Sequence, residues 1–225
     1  MERILYTYFR SSASYRVRVA LNLKGLTATH VPVHLTRDGG AQFDPAFRAL
    51  NPQALVPVFS EGELRLTQSL AILEYLEERY PAPALLPRAI EDRARVRQLA
   101  ASIACDIHPL NNLRVLKFLT AELGLSEDSK QRWIRHWIEL GLEALEVELR
   151  RAAAKAGDRT DAGRILFCFG ASPTIADCCL VPQLFNARRF GVDLSAYPAL
   201  QAVDRSCQAL PAFQRAHPAA QSDSE

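Results

Sequence analysis

The sequence has few of the residues that cross-link small secreted proteins. Cysteine occurs five times in 225 residues, an odd number. No Cys-x-x-Cys pair and no paired Cys/His spacing suited to zinc occurs. We therefore expect reduced thiols and no metal site, which is the usual condition of cysteines in the cytoplasm.

Long apolar runs and an excess of charge of one sign are also missing. No segment reaches the roughly 18 apolar residues of a membrane span, and no basic stretch leads into an apolar one at the N-terminus. Twenty-seven basic residues face 25 acidic ones, for a net charge of +2. This balance gives no reason to expect a nucleic-acid or membrane partner. We expect a soluble, unprocessed, cytoplasmic protein.

One turn near the start of the chain has an unusual polar composition. A strand pattern over residues 4–8 leads into a helical pattern that ends at Gly25. Ser11, Ser12 and Ser14 lie at the turn, where a helix N-terminus has unpaired N–H groups, and Arg16 stands where an acidic residue would stabilise the helix. We expect this turn to bind an anion, and our hypothesis is a nucleophile that the protein does not itself supply.

A second helix start has a similar character. Pro57 opens a strand without an N–H for its ladder bond, which predicts a special geometry there, such as a cis peptide bond. A hairpin follows, and Ser69 then opens a helix whose first turn has no acidic residue. Ser69 taken alone is better explained as an ordinary capping serine. Together with Gln68 it also forms a candidate anion site.

The chain changes character after three prolines within residues 81–87. We predict an α/β domain of order βαβαββα over residues 1–82, a linker over 83–89 and an all-helical domain over 90–225. Helical patterns cover residues 90–119, 126–156, 174–190 and 198–216, with stops at Gly124, Gly157 and Gly191. The polar end, Gln221 to Glu225, is expected to fray.

Several motifs of the chain match one family. Residues 11–21, Ser-Ser-Ala-Ser-Tyr-Arg-Val-Arg-Val-Ala-Leu, resemble the signature of the zeta-class glutathione transferases, which include maleylacetoacetate and maleylpyruvate isomerases. The likeness extends to residues 49–52, 56–57, 68–77, 173–177 and 180–183. The resemblance implies a thioredoxin-like N-terminal domain, an α-helical C-terminal domain, a homodimer, and glutathione as the bound thiol.

The resemblance also implies which residues hold glutathione. Val56 matches the residue before the cis-proline, whose main chain pairs with the cysteinyl part. Gln68 and Ser69 match the pair that holds the γ-glutamyl carboxylate, and a carboxylate at a free helix N-terminus is favourable by roughly 0.3–2 kcal/mol. Gln53 lies in the same loop as Val56 and is a weaker candidate for contact with the tripeptide.

Ser11 matches the serine that activates the thiol, with Ser12 as a second candidate. The family usually has cysteine at the position of Ala13. The absence of this thiol implies that the proposed reaction does not need it. It leaves open how closely the tuning of the site follows the family.

Two arginines are candidates for binding a dicarboxylate substrate. Arg10 flanks the turn, and Arg189 matches an active-site arginine of the family, whereas its neighbour Arg188 is variable. Arginine at a helix C-terminus also complements the helix dipole, so a purely structural explanation exists for both members of this pair. Arg16 and Arg18 are expected on the outer face of their helix or in structural pairs.

His108 and Asn112 are candidates for further contacts with glutathione. Family members place Gln or His followed by Pro and Asn at this point, facing glutathione. Residues 105–112 interrupt the long helical pattern with Pro109. His108 and Asn112 are four apart, and we expect them to share a helix face. A lone histidine is more often structural, so both explanations of His108 stay open.

The function implied is glutathione-dependent cis–trans isomerisation of maleylpyruvate or maleylacetoacetate to the fumaryl isomer, in the catabolism of aromatic compounds. Its steps would be thiolate addition, rotation about the former double bond and elimination. One alternative is conjugation of electrophiles or dehalogenation of α-haloacids. A second is a non-catalytic glutathione-binding protein, because a fold alone does not carry activity. The sequence does not separate the two isomerase substrates.

Overall fold

The computed structural model describes residues 1–156 and 166–225. Its contacts divide the chain into two units. Met1–Leu85 and Ala209–Glu225 form the first unit, and Leu86–Gln208 form the second. Each is described separately below.

The first unit has the predicted order βαβαββα. Its sheet runs β2-β1-β3-β4, with β1 parallel to β2 and antiparallel to β3, and with β3 antiparallel to β4. The parallel pair requires a crossover, which α1 supplies. This is the thioredoxin-like arrangement that the sequence predicts. The elements are β1 (Arg3–Thr7), α1 (Ser12–Leu23), β2 (Thr29–Pro32), α2 (Pro45–Leu50), β3 (Val58–Glu61), β4 (Leu64–Thr67) and α3 (Ser69–Arg79).

Buried apolar side chains of the sheet and of two helices form the core of this unit. Leu5 and Phe59 of the central strands, Val17 of α1, and Ile72 and Leu76 of α3 are all fully buried. Helix α1 packs against α3. The starts of α1 and α3 therefore belong to one packed body.

A buried lysine joins α1 to the chain that follows α3. Lys24 Nζ lies 2.8 Å from Glu77 Oε2, 2.6 Å from the Tyr80 carbonyl oxygen and 2.9 Å from that of Pro83. The Leu85 N–H donates to the same Glu77 oxygen at 2.8 Å. The start of the predicted linker is thus held by side chains of the first unit.

The second unit is helical, as predicted. It contains α4 (Ile90–Ala101), α5 (Leu113–Ala121), α6 (Glu127–Ala156), α7 (Ile175–Arg189) and α8 (Pro198–Gln208). The stop predicted at Gly157 lies outside the described residues. None of the described helices combines the length and apolar character needed to cross a bilayer. No cluster of three His, Cys, Asp or Glu residues suited to a metal occurs in the described part of the chain.

The helix predicted over residues 90–119 is interrupted. A π-helical turn at Ser102–Ile107 and a 3-10 turn at His108–Asn111 separate α4 from α5. Pro109 has no N–H and its ring collides with the preceding turn of an α-helix, which explains the change at this point. Gly141 of α6 allows the close approach of Ile107, since a Cβ there would lie 2.3 Å from the Ile107 side chain.

The end of the chain packs with the first unit, which differs from the predicted division at residues 82 and 90. The last helical region, predicted as 198–216, is two helices, because Pro211 begins a new helix, α9 (Pro211–Ala216). Helix α9 packs against α1. Asn22 Nδ2 donates to the Ala212 carbonyl oxygen at 2.9 Å.

The expectation of a frayed C-terminus is wrong. The Phe9 N–H donates to Asp223 Oδ2 at 3.0 Å. Glu225 Oε1 lies 3.0 Å from His34 Nε2 and 2.5 Å from Arg37 Nη2. The acidic residues of the tail thus find donors near the other end of the chain, which no local sequence pattern reveals.

Candidate active site

The turn between β1 and α1 has the features of an anion site. Ser11 is the N-cap of α1, and its Oγ accepts from the Ser14 N–H at 3.2 Å. The N–H groups of Ser12 and Ala13 lie in the first turn, where a helix offers no acceptor. No acidic residue occupies that turn. A serine oxygen that accepts one hydrogen bond can still donate its own proton, so Ser11 can face an anion as a donor.

The two candidate serines differ in exposure. Ser11 is part-exposed, whereas Ser12 is 7% exposed and belongs to the helix itself. An external thiol would meet the Ser11 hydroxyl first. The geometry therefore favours Ser11 as the donor and Ser12 as a contributor of its main-chain N–H.

The main chain in front of this turn is held by Arg18. Arg18 is 1% exposed, and its guanidinium donates to Thr7 Oγ1 and to the Tyr8 and Phe9 carbonyl oxygens at 3.0–3.3 Å. It also donates to the carbonyl oxygen of Ala216, in α9, at 3.1 Å. Burial lowers the pKa of Arg18 to about 10, so it is charged at neutral pH. The sequence predicts Arg18 either on the outer face of its helix or in a structural interaction. The second prediction is confirmed for Arg18, and the first is wrong.

The start of α3 is joined to α1 by a second buried arginine. Arg16, 1% exposed, donates from Nη1 to Ser69 Oγ at 3.1 Å. Gln68, not Ser69, occupies the N-cap position, and its side chain makes no capping bond. The explanation of Ser69 as an ordinary capping serine is therefore wrong. A guanidinium behind Ser69 and a first turn without acidic residues favour an external carboxylate here.

The backbone at Gln68 is strained in a way that suits a ligand site. Gln68 has φ 70° and ψ 114°, in a region that residues other than glycine rarely adopt. Such conformations persist where surrounding contacts fix them, and they concentrate at binding sites. Gln68 Nε2 donates to Gln53 Oε1 at 3.1 Å, so the structure brings these two candidates together.

The loop that leads into β3 presents main-chain groups next to the same region. The Val56–Pro57 peptide bond is cis, which confirms the special geometry expected there. The Val56 side chain packs in an apolar cluster with Tyr8, Phe9 and Val58. The pairing of β3 with β1 ends at Tyr6 and Val58, so the Val56 N–H and C=O lie beyond that ladder.

Arg10 and Arg189 are both exposed and both lie over a neighbouring aromatic ring. The Arg10 guanidinium is 4.7 Å from the Phe9 ring centroid, and that of Arg189 is 4.8 Å from the Phe190 ring centroid. Arg188 instead pairs with the buried carboxylate of Asp204 at 2.5 Å. The structure thus gives Arg188 a structural role and leaves the Arg189 guanidinium at the surface.

His108 and Asn112 do not share an α-helix face as expected. His108 begins the 3-10 turn, and Asn112 is an extended N-cap residue whose Oδ1 accepts from the Arg114 N–H at 3.1 Å. The error arises because helix spacing was applied across Pro109. Contact of either residue with glutathione stays a prediction.

Comparisons with known proteins agree with this geometry. The glutathione S-transferase N-terminal domain matches residues 5–84, and the corresponding C-terminal domain matches residues 131–218. A maleylacetoacetate isomerase of Pseudomonas aeruginosa is 51% identical over 221 residues, which are 97% of each chain. The holo structure of a maleylpyruvate isomerase, described as a bacterial zeta-class glutathione S-transferase, has a TM-score of 0.90 and 48% identity over 99% of this chain and 100% of that one.

The chain belongs to the zeta-class glutathione transferases. A related structure, a maleylacetoacetate isomerase from Anaeromyxobacter dehalogenans with glutathione in its active site, has a TM-score of 0.84 and 45% identity. The match covers 100% of this chain and 98% of the Anaeromyxobacter chain. The family and the fold that we predict from the sequence are thus confirmed.

The residues of this zeta-class chain fit glutathione. The strained Gln68 and the acid-free start of α3 suit a carboxylate, the main chain of Val56 suits a peptide, and the start of α1 suits a thiolate. Sequence reasoning missed Arg16 and Arg18 as parts of the site's framework. Arg18 lies inside the otherwise apolar stretch of residues 17–21 and Arg16 directly precedes that stretch, which is the sequence signal that both are buried.

Proposed function

We propose that this zeta-class glutathione transferase is a glutathione-dependent isomerase that converts maleylpyruvate or maleylacetoacetate to the fumaryl isomer in aromatic catabolism. The observation that carries the proposal is the pair of acid-free helix starts, at Ser11 and Ser69, joined through the buried Arg16. The names of the relatives at about 50% identity support the reaction type. We further infer a homodimer in the cytoplasm, in which residues 1–82 bind glutathione and the helices that follow residues 83–89, up to Gln208, bind substrate.

Glutathione, when bound, supplies a thiolate that adds to the cis double bond and is eliminated after rotation about the resulting single bond. Ser11 stabilises this thiolate by donating a hydrogen bond from its hydroxyl group to the sulfur. The pKa of a free thiol is near 8.5 and must fall by about two units for the thiol to be mostly ionised at neutral pH. This shift corresponds to about 2.7 kcal/mol. A hydrogen bond to a charged group, roughly 1.5–3 kcal/mol, together with the helix terminus is sufficient.

The remaining contacts orient the tripeptide. Gln68 and Ser69 hold the γ-glutamyl carboxylate at the start of α3, with the Arg16 charge behind Ser69. The Val56 main chain pairs with the cysteinyl part, and Gln53 supports Gln68 through their 3.1 Å hydrogen bond. His108 and Asn112 are further candidates for contact with glutathione.

Arg10 and Arg189 bind the two carboxylates of the substrate. Their guanidinium groups are exposed and can each form a bidentate pair with a carboxylate. Cations placed there also stabilise the negative charge that develops on the substrate during addition.

The direct test is conversion of each cis substrate with and without glutathione. We expect turnover only with glutathione, and a side-by-side comparison of kcat/KM then assigns the preferred substrate. Equal rates in the two conditions contradict the proposal. Conjugation of an uncharged electrophile without isomerisation of either dicarboxylate favours the transferase alternative instead.

A further inference from the structure

The C-terminal tail contacts the segment that precedes the activation turn. Gln221 Nε2 donates to the Arg215 and His217 carbonyl oxygens at 2.9 Å each, which ties the tail to α9. Glu225 pairs with Arg37 at the other end of the tail. Between these two contacts, of which the exposed Glu225 pair contributes little, Asp223 Oδ2 accepts from the Phe9 N–H at 3.0 Å.

Phe9 lies two residues before Ser11 and outside the sheet, since β1 ends at Thr7. Its N–H is held by Asp223, and its carbonyl oxygen accepts from Arg18 Nη2 at 3.0 Å. The preceding carbonyl oxygen, of Tyr8, accepts from the Ser11 N–H at 3.0 Å and from Arg18 Nη1 at 3.3 Å. The backbone that carries Ser11 is therefore fixed by the tail on one side and by Arg18 on the other.

The charge of Asp223 also acts on Arg18. The negative charge of Asp223 favours the cationic form of Arg18 and thus opposes the larger effect of burial, which lowers the Arg18 pKa. A buried guanidinium needs such compensation. Asp223 therefore acts on the turn by a hydrogen bond and on Arg18 by its charge.

We propose that Asp223 is a positioning residue for glutathione activation, which holds the Ser11 hydroxyl in place through the Phe9 N–H. The inference rests on the proposed function, in which Ser11 stabilises the thiolate. A misplacement of about 1 Å in a catalytic arrangement can cost on the order of a hundred-fold in rate. Loss of one of the contacts that fix the turn is enough for a displacement of this kind.

The test compares three variants of the full-length protein. Asp223→Ala removes both the acceptor and the charge, and Asp223→Asn keeps an acceptor oxygen but removes the charge. Glu225→Gln is the matched control in the same tail, since its ion pairs are exposed and contribute little. The measurements are the pKa of the bound glutathione thiol, from the ultraviolet absorbance of the thiolate, the hydrogen exchange of the Phe9 amide without glutathione, and kcat/KM.

For Asp223→Ala we expect a higher thiol pKa, Phe9 exchange faster by about ten-fold or more, and kcat/KM lower by roughly ten-fold to a hundred-fold. Asp223→Asn should recover most of each change, and Glu225→Gln should match the wild type. If Asp223→Ala leaves the thiol pKa unchanged, the inference is overturned, even when exchange at Phe9 is faster. If Asp223→Asn behaves like Asp223→Ala, the hydrogen-bond route is overturned.

The wild type separates failure of this inference from failure of the proposed function. A bound thiol pKa well below that of free glutathione in the wild type supports the activation site, whatever the variants show. A wild-type value equal to that of free glutathione contradicts the proposed role of Ser11 before Asp223 is considered.

Discussion

At the scale of single residues, Ser11 offers the sharpest test of thiol activation. We expect Ser11→Ala to raise the pKa of the bound glutathione thiol by about one to two units, because a hydrogen bond to the charged sulfur, roughly 1.5–3 kcal/mol, is lost. The thiolate absorbance measured against pH gives this value directly. Ser12→Ala is the matched control and should shift the pKa far less, since Ser12 is buried in the helix start. The opposite order would assign the activating role to Ser12.

The adjacent arginines at the end of α7 form a second matched pair. We expect Arg189→Ala to lower kcat/KM for the dicarboxylates by about a hundred-fold, because an anionic end of the substrate loses its partner. Conjugation of an uncharged electrophile should change little in this variant. Arg188→Ala removes the pair with Asp204 and should lower the unfolding temperature while kcat/KM of the folded protein is retained. A similar loss of kcat/KM in both variants would contradict the assignment.

Glu61 makes stability depend on pH. Burial alone would raise the pKa of Glu61, but hydrogen bonds from Tyr75 and Tyr80 and the charge of Arg3 outweigh it and hold this pKa below its ordinary value. The charged form is thus favoured in the folded state. Its contribution is present above the pKa of the unfolded chain and is lost as the pH falls through the lower, folded-state pKa.

We therefore expect Glu61→Gln to be less stable than the wild type near pH 7, with a difference that shrinks as the pH falls below about 4. Urea unfolding at a series of pH values measures it. Glu63→Gln, in the exposed turn next to it, is the control and should show little difference at any pH. A constant difference for Glu61→Gln across the whole range would show that its charge is not the cause.

Much of the candidate site in the first unit could be predicted from single residues, because the signals lie within short stretches of sequence. Serines at a helix start and a missing acid can be recognised within a few residues, as at Ser11 and Ser69. Arg16 and Arg18 could not be placed, because their acceptors belong to α3, α9 and the end of β1. A charged side chain in a helix is predicted to be exposed as long as its partners elsewhere in the chain are unknown.

At the scale of elements, the sequence predicts where helices occur better than where they break. The helices α1, α3 and α7 follow from periodicity and stop signals, whereas the thioredoxin-like sheet is implied only by the family resemblance. The interruption between α4 and α5 includes a π-helical turn at Ser102–Ile107, whose residues carry no local signal for it. The close approach of Ile107 in this turn to Gly141 of α6 is likewise a contact between two elements, which no local pattern reveals.

The Lys24–Glu77 pair should make a large contribution to the stability of the first unit. Both side chains are buried, and removal of one partner leaves the other as a buried charge. We expect Lys24→Met to lower the free energy of unfolding by about 3–5 kcal/mol, measured by urea unfolding. Adding Glu77→Gln, which removes the charge but keeps an acceptor for the Leu85 N–H, should recover part of the loss. A double variant less stable than the single one would contradict this account.

At the scale of the whole molecule, contacts between the two ends of the chain were the least predictable feature. Asp223 and Phe9 are 214 positions apart, and Glu225 and His34 are 191 apart. Their partners are a main-chain amide and exposed polar side chains, which follow no hydrophobic pattern. The predicted boundary at residue 90 assigns residues 209–225 to the helical domain, whereas they pack with the first unit. A boundary taken from the composition of a linker cannot show that a later segment packs with an earlier domain.

This return of the chain also sets an order of events during synthesis. The residues of α1 from Tyr15 to Leu21 are all buried, and α9 supplies Phe213 and Ala216 to the packing of the first unit. While the ribosome is still making Leu86–Gln208, α1 lacks the part of its cover that α9 supplies, although α3 already packs against it. The first unit is therefore completed only after residues 209–225 have left the exit tunnel, and until then the apolar surface that α9 covers is exposed to chaperones.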